Sequence, residues 1–154
     1  MLPRPPPSQL AHPSVRPIQE TAIRPVPLGT KGTYSITVQP QHLANQFKDA
    51  ILPPVLATPV MILFMENAAL NAVRDYLEPN ESVVGTGINL KHLAATPVGQ
   101  RVTAEAEVTK IDGRRIEFNV IARDEVEEIG RGTHERFVVD ITRLSQRLAA
   151  KSQR

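Results

Sequence analysis

Cysteine is absent from the 154-residue chain. That excludes a disulfide scaffold, a thiolate zinc site and a cysteine nucleophile, and it fits a reducing compartment. Tryptophan is absent too, and aromatics make up only 4% of the residues, which argues against a platform for stacking nucleic-acid bases. No apolar run reaches the roughly 18 residues of a membrane-spanning helix. The N-terminus lacks the apolar core of a secretory signal, so a cytoplasmic protein with no membrane partner is the expectation. The four histidines have no metal-ligand spacing, and neither a metal nor a cofactor is predicted.

An excess of one charge is also missing from most of the chain. Residues 1–30 contain Arg4, Arg16 and Arg24 against Glu20, which accounts for the whole net charge of +2. The other 124 residues balance, with 15 basic and 15 acidic groups. A nucleic-acid partner, which needs a basic folded face, is therefore not expected. Eight of the 14 prolines fall in the same first 30 residues. The reading is a Pro-rich, disordered arm over residues 1–30 and one domain over residues 31–154.

Within the domain, Thr33 to Val38 alternates and is rich in β-branched residues, as a strand is. A connector with Pro40, Pro53 and Pro54 follows, with a short helical turn predicted around His42–Phe47. A long helix should start near Thr58, a good N-cap residue, with Pro59 at a position that needs no N–H. From Val60 to Val73 the only polar residues are Glu66, Asn67 and Asn71, which predicts a helix buried nearly all round. Pro79 marks its end. Strands are predicted over Val83–His92, Val102–Ile111, Ile116–Arg123 and Thr133–Ile141. Asp112-Gly113 makes one tight turn and Asp124–Glu128 another. Leu144–Lys151 suits a short exposed helix. Strand, long helix, then four strands predicts an α+β fold with an antiparallel sheet wrapped on one helix. The apolar surface this leaves would be covered by dimerisation.

Three residues stand out for chemistry. Glu66 has Ile62, Leu63, Ala69 and Leu70 as its helical neighbours, so a desolvated carboxylate is expected. Thr58 lies two turns earlier, about 80° round the helix, at the positive end of the helix dipole. His92 shares strand parity with Ile88 and Leu90, and so the face that meets the helix. A hydroxyl, a carboxylate and an imidazole on one face form a nucleophile or polariser with acid–base partners. Each residue also has a structural reading, as a helix cap, a rim carboxylate and a core histidine. His134 and Arg136 share one face of the last strand, where Arg136 suits a carboxylate or phosphate. Gly85 and Gly87 interrupt a strand, as at a bulge or a close approach of backbone to ligand.

The element order resembles the hotdog fold. The stretch His92 to Val102, with Pro97 and Gly99, resembles the strand-end signature of hotdog thioesterases. Thr58 and Glu66 eight residues apart, Gly85 to His92, and Gly132-Thr-His-Glu-Arg136 resemble the fluoroacetyl-CoA thioesterase-like group over about residues 30–145. The resemblance implies catalytic roles for Thr58, Glu66 and His92, and substrate contact at Gly85 and Arg136. It implies hydrolysis of an acyl-CoA to a carboxylic acid and free CoA, by a homodimer or dimer of dimers with the site at the dimer interface. Phe47 to Leu56 contains one aromatic, Phe47, with Leu, Ile and Pro where the fluoroacetyl-specific member has an aromatic lid, so a small or medium acyl group is expected. The alternative is a non-catalytic acyl-CoA-binding or sensing protein.

Overall fold

The computed structural model describes residues 23–153. The first 22 residues of the arm, with the disorder expected of them, lie outside the described residues. Five strands, β1 (Lys31–Thr37), β2 (Glu81–His92), β3 (Arg101–Asp112), β4 (Arg115–Arg123) and β5 (Glu128–Asp140), form one antiparallel sheet in the order β1-β3-β4-β5-β2. The helices are α1 (Ala44–Phe47), α2 (Thr58–Val73) and α3 (Ile141–Ser152). This is the α+β hotdog arrangement, with α2 packed against β1, β3 and β4.

The core follows from the alternation. Val102, Ala104, Ala106 and Val108 of β3 and Ile116, Phe118, Val120 and Ala122 of β4 are all buried, each set being one face of a period-two strand. They meet Met61, Phe64, Met65, Ala68, Ala69, Ala72 and Val73 of α2. Burying a side chain such as Phe64 contributes roughly 1.5–3 kcal/mol. Small residues let the layers approach closely. A Cβ on Gly32 of β1 would lie 2.2 Å from the Ala72 nitrogen and 2.3 Å from the Ala68 oxygen, so only glycine fits there.

Three expectations change. First, α2 is not buried all round. Leu63 is 51% exposed and Glu66 and Asn67 are half-buried, because a single sheet covers only one side of a helix. Second, Thr58 is not the N-cap. Ala57 holds that extended position, and Thr58 is the first helical residue, followed by Pro59. Third, residues 23–30 belong with the domain. Val26 is buried in the core, the Gly29 N–H donates to the Val108 carbonyl at 2.8 Å and the Val108 N–H to Thr30 at 2.9 Å. Strand ends run one to five residues beyond the alternating cores, and α3 starts at Ile141, where the Asp140 carboxylate accepts from the Arg143 N–H at 2.9 Å.

The sheet has two edges, and they differ. At the β1 edge, Gly29 and Thr30 continue the strand by pairing with Val108 of β3. The β2 edge has a register shift between Gly85 and Gly87 and exposed Val84 and Ile88.

Candidate active site

The helix α2 spans 16 residues, about 24 Å of rise, and the chemistry-bearing side chains cluster at two levels along it.

At its N-terminal end, the Thr58 Oγ1 lies 2.8 Å from Nδ1 of His92. Ala57 is placed by its own N–H, which donates to the His42 carbonyl at 2.9 Å, while its carbonyl accepts from Val60 and Met61. The Thr58 hydroxyl makes no cap bond and is directed at the imidazole instead. The Thr58 N–H, as a first-turn donor, has no intrahelical acceptor. Burial lowers the His92 pKa below the ordinary histidine value, an effect partly offset by the Ala94 backbone. The imidazole is therefore neutral near pH 7, as a proton acceptor must be. The His92 Nε2 is buried and has no hydrogen-bond partner among the described residues.

Beside this pair lies an open groove of about 570 Å³, lined largely by aliphatic residues such as Leu52, Val55, Leu56 and Leu93 together with Lys48, with Thr58 and His92 in its wall. Isolated bridges of Leu43 to Leu56 and of Val55 to Pro97 hold its floor. The groove comes largely from the proline-rich connector, which lacks a period and so gave no sequence signal. The Phe47 side chain lies outside the described residues. His42 is structural: its Nδ1 accepts from the Gln39 N–H at 2.9 Å and its ring meets Phe64 edge-on.

Two turns further on, Glu66 leaves α2 toward the sheet. Its side chain is 38% exposed and pairs with Arg136, Nη1 to Oε2, at 3.4 Å. The expected apolar surroundings are thus replaced by a cation and the β2 backbone. A Cβ on Gly85 would lie 3.5 Å from Glu66 Oε2 and 3.4 Å from His134 Cε1, so this glycine backbone borders the carboxylate. Arg136 is buried, with 7% exposure. Its Nη2 donates to the Val83 carbonyl at 2.7 Å and its Nη1 lies 3.2 Å from His134 Nε2. Burial acts to lower the Arg136 pKa and Glu66 acts to raise it; a guanidinium stays charged throughout.

The five residues singled out in the sequence therefore form two groups within one protomer. Thr58 and His92 touch. Gly85, Glu66 and Arg136 cluster separately, and no hydrogen bond links Glu66 to Thr58 or His92 among the described residues. His134 was noticed in the sequence only for sharing a face with Arg136; the structure adds it to the second group. No group of three His, Asp or Glu that would hold a metal occurs among the described residues. No described helix is long and apolar enough to cross a membrane.

The fold has counterparts among solved structures. A Thermus thermophilus structure described as a thioesterase superfamily member matches with a TM-score of 0.79 and 27% identity, over 85% of this chain and 96% of that one. The fold is that of a hotdog thioesterase. Within that class, residues 38–142 match the sequence model of the fluoroacetyl-CoA-specific thioesterase family. A fluoroacetyl-CoA thioesterase from Streptantibioticus cattleyicolor is 39% identical over 130 residues, covering 81% of this chain and 94% of its own length. A crystal structure of a fluoroacetyl-CoA-specific thioesterase matches with a TM-score of 0.77 and 38% identity, over 81% and 96% of the two chains. The chain belongs to the fluoroacetyl-CoA-specific thioesterase family and is an acyl-CoA thioesterase.

Proposed function

We propose that the protein hydrolyses small or medium acyl-CoA thioesters with Thr58 and His92 of one protomer and Glu66 of a second. The observation that carries this reading is the 2.8 Å contact between Thr58 and His92 at the start of α2, beside an aliphatic groove. The acyl group lies in the groove with its carbonyl oxygen toward the Thr58 N–H and the positive end of the helix. Glu66 and His92 serve together as the acid–base groups: the neutral His92 first accepts the proton of Thr58 or of a water as its oxygen attacks the carbonyl carbon, and then returns it as acid. The C–S bond breaks and the sulfur takes a proton; where Thr58 is the nucleophile, a water then hydrolyses the acyl ester it has formed, so either route gives a carboxylic acid and free CoA.

Two features favour a composite site. Eight residues of helix separate Thr58 from Glu66 by about 12 Å of rise, too far to share one thioester carbonyl within a protomer. And β2 is an edge strand with exposed Val84 and Ile88, a surface suited to a second copy. In a homodimer, or a dimer of dimers, the partner supplies the missing carboxylate. Gly85 brings its backbone to the substrate, and Arg136 acts through Glu66. The largely aliphatic groove lining suits a plain acyl chain; the Streptantibioticus cattleyicolor relative is a fluoroacetyl-CoA thioesterase.

Thiol release from a panel of acyl-CoAs tests the activity, and with no cysteine in the chain all dye signal comes from free CoA. Co-expressed Thr58→Ala and Glu66→Gln chains test the composite site. Each is nearly inactive alone, while a mixed dimer regains one intact site of two and about half the wild-type rate, so a randomly paired co-expressed population shows roughly a quarter. No recovery in verified mixed dimers would place all three groups in one protomer.

A further inference from the structure

We propose that His134, in its neutral Nδ1–H form, is a positioning residue for the Glu66 carboxylate, acting through Arg136. This rests on the catalytic reading of Glu66 given above. His134 sits on the core face of β5, opposite Ile88 of β2 and Phe118 of β4, and its ring stacks on Phe118 with centroids 6.2 Å apart. Its two nitrogens have partners that leave no choice of tautomer. Nδ1 lies 2.8 Å from the Gly87 carbonyl, which only accepts, so Nδ1 carries the proton. Nε2 lies 3.2 Å from Arg136 Nη1, which only donates, so Nε2 offers its lone pair.

The consequence is a chain of contacts. The Gly87 carbonyl fixes the imidazole. The imidazole and the Val83 carbonyl fix the two terminal nitrogens of Arg136. Arg136 then faces Glu66 at 3.4 Å, long for a hydrogen bond, so the carboxylate is held by charge. A carboxylate 38% exposed would otherwise sample several rotamers. The same ring ties down the β2 bulge, since Gly87 lies on one side of the register shift and Gly85, beside Glu66, on the other.

Protonating His134 would break the chain. Nε2 would become a donor facing a cation. The charged groups on His134 are Arg136 from its own strand and Glu66 from α2; β2 and β4 present Gly87, Ile88 and Phe118. Glu117 and Glu135 have the opposite parity and lie on the other face. Burial, the largest influence, lowers the His134 pKa; the Gly87 backbone opposes it, Arg136 adds to it and Glu66 opposes it.

The test uses the full-length protein and two variants that both keep a polar side chain. His134→Asn keeps a donor for Gly87 but is too short to reach Arg136. His134→Gln reaches Arg136 with its carbonyl oxygen. The expectation is a fall in kcat of roughly tenfold or more in His134→Asn with KM little changed, and recovery of most of kcat in His134→Gln. In a Glu66→Gln background, His134→Asn should cause no further loss. Imidazole nitrogen NMR of the wild type should report the neutral Nδ1–H tautomer for His134 at pH 7. Wild-type kcat in His134→Asn, equal losses in Asn and Gln, an undiminished loss in the Glu66→Gln background, or a charged or Nε2–H imidazole would each overturn the proposal. If Glu66→Gln alone retains wild-type turnover, the catalytic reading of Glu66 falls and this role falls with it. If Glu66→Gln loses turnover while His134→Asn keeps the wild-type kcat, only the positioning role is lost.

Discussion

Thr58 and His92 meet through one hydrogen bond at the rim of an open groove, whereas Glu66 is backed by Arg136, His134 and two carbonyls of β2. The two levels of α2 are thus held in different ways. At the helix start, a local backbone feature does the placing: Ala57 takes the cap position and frees the Thr58 hydroxyl. Two turns on, nothing local orients a glutamate, and a network recruited from β2 and β5 does so. The lesson is that a hydroxyl at a helix end needs little support, while a half-exposed charge needs a built one.

The comparison breaks most severely at Glu66. Glu66→Gln keeps the shape and removes the charge, and should lower kcat by about 10²- to 10⁴-fold while acyl-CoA still binds in calorimetry. A variant with near wild-type thiol release would end its catalytic role. Thr58→Val removes the contact with His92 and should lower kcat by about 10²-fold, with Thr58→Ser recovering much of it in the same assay.

Gly85→Ala sharpens the distinction on the Glu66 side alone. The added Cβ meets its neighbours at 3.4–3.9 Å, ordinary van der Waals distances. The fold should therefore survive with a Tm within a few degrees of wild type. The methyl would border the carboxylate, and kcat/KM should fall several-fold, roughly 1 kcal/mol of transition-state stabilisation. By contrast, Gly32→Ala should cost at least about 1–3 kcal/mol of stability through overpacking against the α2 backbone, read as a lower denaturation midpoint.

Acid should affect both levels. His92 and His134 have pKa values lowered chiefly by burial, so the folded state keeps them neutral. Below about pH 6.5 the unfolded chain binds protons that the folded one does not, so stability falls as pH falls through that value toward the folded pKa values. Denaturation midpoints measured from pH 8 to pH 5 should decline, and a flat profile would contradict the burial of both rings. The smallest effect is expected far from either level. Arg24→Ala removes an exposed ion pair with Glu78, and Tm and turnover should stay at wild-type values.

Much of the fold was legible because burial imposes a period. The alternation in β3 and β4 located their inner faces to the residue, and Thr-Pro ahead of an apolar run located the start of α2. The N-cap assignment missed by one residue because chain direction before Thr58 is set by a hydrogen bond to His42, distant in sequence. The edge of the domain was drawn at residue 31 on composition. Pairing with Val108 and the buried Val26 bring it back to residue 23, since prolines and short polar residues can line a sheet edge as well as a free tail.

What the sequence by itself determined was the element order, the inner faces and the residue types available for chemistry, because these depend on local propensity and on a period of 2.0 or 3.6. Which of those residues touch was decided by the tertiary structure. Parity put His92 on the helix-facing side; only the curl of the sheet put it on Thr58 and away from Glu66. Likewise parity paired His134 with Arg136, while the Gly87 carbonyl selected the tautomer that turns the pair toward Glu66. Contacts of this kind join residues 34 to 70 positions apart, and no local preference specifies them.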